Sequence, residues 1–193
     1  AVNRPRKFAF DGTTLFLADW GSRNILKLDR NIDNPTWAAS VHYSFSAVSN
    51  PRALTFDAAT QTMYVALENS WIYKVPNYLA PTPATHTQFH NFGATDLHVH
   101  TDGYLYVVNG YSYKVEKDGS TRYEFRKSRG SLSDFAVRDD GAIWHSDRNG
   151  RLSPWTNDWD SQHWGGMQSY STGGAVAADP AGNWVSVNRY TCG

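Results

Sequence analysis

Short apolar runs with alternating inward and outward character recur along the chain, and polar turns separate them. Nowhere does an apolar period of 3.6 residues with helix caps persist, so strands are predicted throughout. The clearest unit is "KFAFDGTTLFLADWGSRNILKLD", Lys7 to Asp29. It reads as a strand ending in Asp, a Gly-containing turn, a Leu-rich strand, a polar turn and a third strand. The order returns in "ALTFDAATQTMYVALENSWIYKV", "DLHVHTDGYLYVVNGYSYKV", "DFAVRDDGAIWHSDRNGRLSP" and "AVAADPAGNWVSVNRYTCG". Fourth strands are predicted at "WAASVHYSF", "THTQFHNF", "TRYEFR" and "HWGGMQSYS".

The matched apolar positions Leu15, Met63, Leu105, Ile143 and Trp184 are spaced 48, 42, 38 and 41 residues apart. A period near 40 with several strands per unit predicts an all-β propeller, with four antiparallel strands to a blade. The chain is read as one domain, residues 1–193, of about five blades, with repeats near 8–50, 51–93, 94–131, 132–173 and 174–193. The last repeat is short. It is expected to be completed by the N-terminus, through Val2 and Asn3, or by a partner covering its edge. The predicted core is Phe10, Leu15, Leu17, Ile25, Leu54, Phe56, Tyr64, Ile72, Leu97, Leu105, Val107, Phe135, Val137, Ile143, Val176 and Val185.

"NPRALTFDAATQTMYVALENSWIYKV" and "LFLADWGSRNILKLD" resemble the repeats of the NHL and YWTD β-propellers, with Asp19, Trp20, Arg23, Asn24 and Ile25 on the pattern. The resemblance implies the fold. It does not select a function, because propellers host hydrolases, lyases, lectins and binding scaffolds.

Composition narrows the classes. Lys+Arg 18 balances Asp+Glu 18, so no global field collects nucleic acid. No apolar run approaches the roughly 20 residues that span a bilayer, so no membrane insertion is expected. Aromatic residues reach 15%, with 8 Trp and 11 Tyr. Together with few long charged side chains, this suggests a secreted, extracellular protein. The one cysteine, Cys192, is either an inert thiol or the point of an intermolecular bridge through the chain termini.

In a four-stranded blade, the turns between second and third strands share a face with the links between blades. That face is predicted to hold Asp19, Trp20 and Arg23; Glu68, Asn69 and Trp71; Asn109 and Tyr111; Asp147, Arg148 and Asn149; and Asn188, Arg189 and Tyr190, with Arg4, Arg6, Asn50, Arg52, Asp96, Asp134, Gly173 and Gly174 from the links. Asp19, Asn109, Asp147 and Asn188 share one register. They either form a ring of oxygen ligands, as for Ca²⁺, in the manner of some propeller lactonases, or cap their strands by bonding turn amides. The pairs His98/His100 and His86/His90 could each share a face, as metal ligands or as hydrogen-bonded sheet histidines. No Gly-x-Ser-x-Gly, His-Glu-x-x-His, P-loop or paired-cysteine motif appears, so no catalytic residue is assigned.

The densest aromatic stretch, "SPWTNDWDSQHWGG", carries Trp155, Trp159 and Trp164 with Asn157 between them. Aromatic faces stack on sugar rings while amides and carboxylates bond hydroxyls, so Trp20, Arg23, Trp71, Tyr111, Arg148, Trp155, Asn157, Trp159, Trp164 and Tyr190 are the candidate ligand residues. The alternative for the tryptophans is packing between blades. The expected function is a glycan-binding module, lectin-like, whose partner is a glycan or glycoprotein and which needs no cofactor. The alternatives are a metal-dependent propeller hydrolase or lyase, with Ca²⁺ as its cofactor, and a structural subunit of an extracellular assembly.

Overall fold

The computed structural model describes residues 1–30, 36–81, 83–109, 111–127, 132–138, 143–147, 152–155, 176–178 and 184–186. Among these, the regular elements are strands and none is a helix. The first sheet is β1 (Pro5–Phe10), β2 (Leu15–Asp19), β3 (Asn24–Arg30) and β4 (Trp37–Ser44), in that spatial order. The second is β5 (Pro51–Asp57), β6 (Thr62–Leu67), β7 (Ile72–Pro76) and β8 (Thr87–His90). The third holds β9 (Asp96–Val99), β10 (Tyr104–Val108), β11 (Tyr111–Glu116) and β12 (Arg122–Lys127). A three-stranded sheet follows, of β13 (Leu132–Val137), β14 (Ile143–Asp147) and β15 (Leu152–Trp155), then a pair, β16 (Val176–Ala178) and β17 (Trp184–Ser186). Consecutive strands pair antiparallel, as hairpin turns require. These are the blades of a β-propeller. The predicted strand "HWGGMQSYS" lies outside the described residues.

The chain divides into two compact units, Ala1–Val99 and His100–Gly193. In the first, the core joins Phe16, Ala18 and Ile25 of the first blade to Leu54, Met63, Val65, Leu67, Tyr73 and Val75 of the second. Every residue of β6 is buried. Met63, Val65 and Leu67 occupy one of its faces and are part of that core. Tyr64 and Ala66 take the other face, where the Tyr64 ring meets Phe89 edge-on at 5.2 Å. A strand covered on both sides reads as a continuous apolar run, which is why "TMYVAL" does not alternate. In the second unit, Tyr106, Val108, Phe135, Val137 and Ile143 form the corresponding cluster.

Most of the predicted core is buried, including Leu17, Ile25, Leu54, Tyr64, Ile72, Leu97, Leu105, Val107, Phe135, Val137 and Ile143. Phe10 is a correction, at 64% exposed. Its strand puts Ala9 against the core, and alternation then turns Phe8 and Phe10 to the opposite face, with Leu15 and Leu17 as cross-strand partners. Leu15 and Phe56 are half-buried. The side chains of Val176 and Val185 lie outside the described set.

Turn chemistry follows the sequence. Gly12 and Gly103 take φ of 102° and 92° in the first turns of their blades. The second blade has no glycine there, and Gln61 takes the left-handed conformation instead, at φ 50°. Asp11 stiffens the first such turn, with Oδ1 accepting from the N–H groups of Thr13 at 2.9 Å and Thr14 at 2.7 Å. Across the first unit, Lys7 Nζ of β1 meets Oδ2 of the buried Asp96 of β9 at 2.9 Å.

Leu105 has no exposed surface. Its replacement by Ala is expected to cost about 2–5 kcal/mol, through lost burial and a residual cavity. Urea unfolding of the two proteins measures this. A cost near zero would mean that the β10 register is wrong.

Candidate functional site

The first blade builds its turn face from backbone outward. Asp19 ends β2 with its side chain fully buried. Its carboxylate accepts the Asn3 N–H at 2.9 and 3.0 Å, and Oδ2 also accepts the Ser22 hydroxyl at 2.5 Å. The Asn3 carbonyl accepts from Gly21 N at 2.7 Å, and the Arg4 carbonyl from Trp20 N at 3.1 Å. Asn3 is thereby bonded within the first blade through both its N–H and its C=O; the expected closure of the last repeat, by the N-terminus or by a partner, falls mostly on residues outside the described set. A Cβ on Gly21 would lie 2.2 Å from the Asn3 carbonyl oxygen, so only glycine admits this approach. The second blade repeats the tie, with Glu68 N bonding Asn50 O at 2.9 Å. Left-handed residues, Arg23 at φ 61° and Ser70 at φ 67°, occupy equivalent positions in the two turns.

These ties assemble one cluster of side chains. Trp20, half-buried, donates from Nε1 to Glu68 Oε2 at 2.9 Å. The guanidinium carbons of Arg4 and Arg6 lie over the Trp20 ring, 5.3 and 5.5 Å from its centroid. Arg4, Arg6 and Glu68 are exposed. Arg4 itself holds a φ of 63°, a conformation that costs energy in a non-glycine residue and that the flanking bonds at Asn3 and Arg4 impose.

The other sequence candidates fall as follows. Arg23 is exposed and donates from Nη1 to Ser46 O at 3.1 Å. Trp71 is half-buried against the first core, so its ring serves packing. Asn109 is exposed just past β10. Tyr111, Asp147 and Trp155 lie on β11, β14 and β15. Arg148, Asn157, Trp159, Trp164, Asn188 and Tyr190 lie outside the described residues, as does Cys192. The structure therefore brings Trp20 together with Arg4, Arg6 and Glu68. The sequence reading put all four on this face, but of them it took only Trp20 as a ligand residue. The signal was present in "NRPRK", where two arginines flank the proline that opens β1.

Asp19 engages two backbone or hydroxyl donors, which is the capping role rather than an open ligand position. Among the described residues, no group of three or more His, Cys, Asp and Glu could hold a metal ion. His100 Nε2 donates to Arg138 O at 2.8 Å, and Tyr43 donates to His86 Nδ1 at 2.8 Å while its oxygen accepts the His86 N–H at 2.9 Å. Burial lowers the His86 pKa below the usual imidazole value.

The sequence reading missed a polar network in the second unit. Asp102, in the first turn of the third blade, accepts from Lys114 Nζ at 2.9 Å, Tyr106 hydroxyl at 2.7 Å and Tyr104 N at 3.1 Å. The His100 ring nitrogen Nδ1 lies 3.1 Å from its Oδ1. Lys114 also sits over the Tyr104 and Tyr106 rings, at 4.6 and 5.1 Å. Partial burial alone would raise the Asp102 pKa; the bonds from Lys114, Tyr106, Tyr104 and His100 outweigh it and hold the pKa at about 2. Both desolvation and the Asp102 bond push Tyr106 well above the usual phenol value.

No protein-family model and no curated protein sequence matches the chain. Solved structures do. Virginiamycin B lyase from Staphylococcus aureus matches at 14% identity and TM-score 0.68, over 96% of this chain and 64% of that one. The nidogen/laminin complex matches at 14% identity and TM-score 0.72, over 91% and 70%. XC5397, a gluconolactonase from Xanthomonas campestris, matches at 14% identity and TM-score 0.66, over 96% and 70%. At such identities the likeness is one of fold. The chain is a β-propeller repeat protein, and it spans less than two-thirds of the lyase's length.

Two outcomes test this geometry. Gly21→Ala forces the Asn3–Gly21 approach apart and is expected to lower stability by about 1–3 kcal/mol, read from denaturant midpoints. Asp102 has a folded pKa near 2, below its ordinary 3.8, so its contribution to stability is complete above pH 4 and is lost as pH falls toward 2. Denaturation measured across that window should show the wild type weakening more steeply than Asp102→Asn. Parallel curves would mean that the network does not hold the carboxylate in solution.

Proposed function

We propose that the chain is an extracellular binding module that takes a glycan on the turn face of its propeller blades. One observation supports this most: Trp20, Arg4, Arg6 and Glu68, from the links and turns of two blades, converge in one exposed cluster. A tryptophan with two guanidinium groups over its ring and a carboxylate at its indole N–H offers apolar surface together with hydrogen-bond donors and an acceptor, the mixture that a sugar requires. Rigid strands carry the turns, so the cluster is organised before a ligand arrives.

The lyase and gluconolactonase among the structural neighbours keep an enzymatic reading in view. It would have to use residues beyond this cluster, since Asp19 is occupied by the Asn3 N–H and the Ser22 hydroxyl. A glycan array probed with the wild type, Trp20→Ala and Trp159→Ala, in calcium and in chelator, separates the readings. Binding lost in Trp20→Ala and insensitive to chelator is expected. Silence on every glycan removes the lectin-like reading. Binding that disappears with chelator and is accompanied by turnover of the bound sugar replaces it with a metal-dependent enzyme.

A further inference from the structure

The two arginines over Trp20 carry a specificity that the cluster as a whole does not state. Both are exposed, and neither guanidinium forms an ion pair with another described residue. The nearest acidic partner of the cluster, Glu68, is bonded through Oε2 to the indole N–H. Asp19, two residues from Gly21, is fully buried and its oxygens accept from Asn3 and Ser22. The cluster thus holds two positive charges and one carboxylate, on a chain whose Lys+Arg 18 equals its Asp+Glu 18. The excess is local to this cluster and is not a general basicity that would collect any polyanion.

Their geometry also matters. A guanidinium carries five N–H donors, so one drawn to an aromatic ring still has donors to offer a ligand. Arg4 is fixed by its own backbone: φ is 63°, its carbonyl bonds Trp20 N at 3.1 Å, and the preceding Asn3 is bonded at both N–H and C=O. Arg6 lies on β1, on the far side of Pro5. Two guanidinium groups gathered at one ring suit an oxyanion, and a planar carboxylate best, because the guanidinium fork matches its two oxygens.

We infer that this cluster selects acidic sugars, with Arg4 and Arg6 gripping a carboxylate or sulfate group borne by the glycan. The inference rests on the glycan-binding reading above and deepens it. The probes are a hexuronate tetrasaccharide, the neutral hexose tetrasaccharide of the same linkage, a sulfated form of the neutral one, and a poly-glutamate peptide. Binding is measured by calorimetry at low and at high salt with the wild type, Arg4→Gln, Arg6→Gln and the double variant. Both positions are exposed, so melting temperatures should match the wild type and report that the variants fold.

The expected result is preference for the charged sugars over the neutral one, weakened by salt. Each Arg→Gln change should weaken binding of the acidic sugars roughly ten- to hundredfold, the loss of a charged hydrogen-bonded contact. The double variant should bind acidic and neutral sugars alike. The uronate and sulfated arms show which oxyanion is preferred. Equal binding of neutral and acidic sugars by the wild type, or a preference that survives in the double variant, overturns the inference while leaving glycan binding intact. Binding of no sugar overturns both. Poly-glutamate bound as tightly as the uronate overturns the sugar assignment and makes the site one for acidic proteins.

Discussion

The turn face depends on a backbone bond that reaches from the turn after the second strand back to the residue preceding the first. Trp20 N bonds Arg4 O in the first blade, and Glu68 N bonds Asn50 O in the second, at 3.1 and 2.9 Å. Each bond ties the link between blades to the turn of the blade it introduces. The N–H at that turn position would otherwise need a solvent partner, and the link would be free to wander. With the tie made, the side chains of link and turn residues are brought to one place. Trp20 sits between the arginines of its link and the Glu68 of the next blade for this reason.

The first blade carries the most reinforcement. Asp19 gives up exposure altogether to bond the Asn3 N–H and the Ser22 hydroxyl, and Gly21 gives up a side chain so that Asn3 can approach. The second blade has Leu67 and Asn69 at the matching positions and relies on the backbone bonds between Leu67 and Trp71 and between Glu68 and Asn50. The difference explains why a residue that looked like a ligand register is a cap in the first blade. A buried carboxylate with donors on both oxygens is satisfied by the fold.

A second polar centre, around Asp102 in the second unit, shows another use of charge in the fold. Lys114, Tyr106 and His100 converge on one carboxylate from neighbouring strands and the turn, and the lysine is further covered by two tyrosine rings. A carboxylate offered several donors stays ionised to low pH. Single residues such as Lys114 and Tyr106 give no hint of this from their spacing, since they meet only when β10 and β11 pair.

The sequence by itself determined the blades. Strand alternation, Asp-Gly turns and a period near 40 follow from local rules, because each hairpin is short and its turn needs particular backbone conformations. The NHL/YWTD-like wording therefore led to the propeller fold without a close relative. It also placed Trp20, Arg23, Glu68, Arg4 and Arg6 on one face, since strand direction fixes where turns emerge. What it could not decide was which of those side chains meet, or which face of a strand is covered. Phe10 illustrates the second point: it has the right residue type and the right strand, and alternation points it away from the core. The Trp20 cluster illustrates the first. Its members lie up to 64 residues apart, from Arg4 to Glu68: pairing of β1 with β2 brings the arginines to the Trp20 ring, and only packing of two blades brings Glu68 within hydrogen-bond distance.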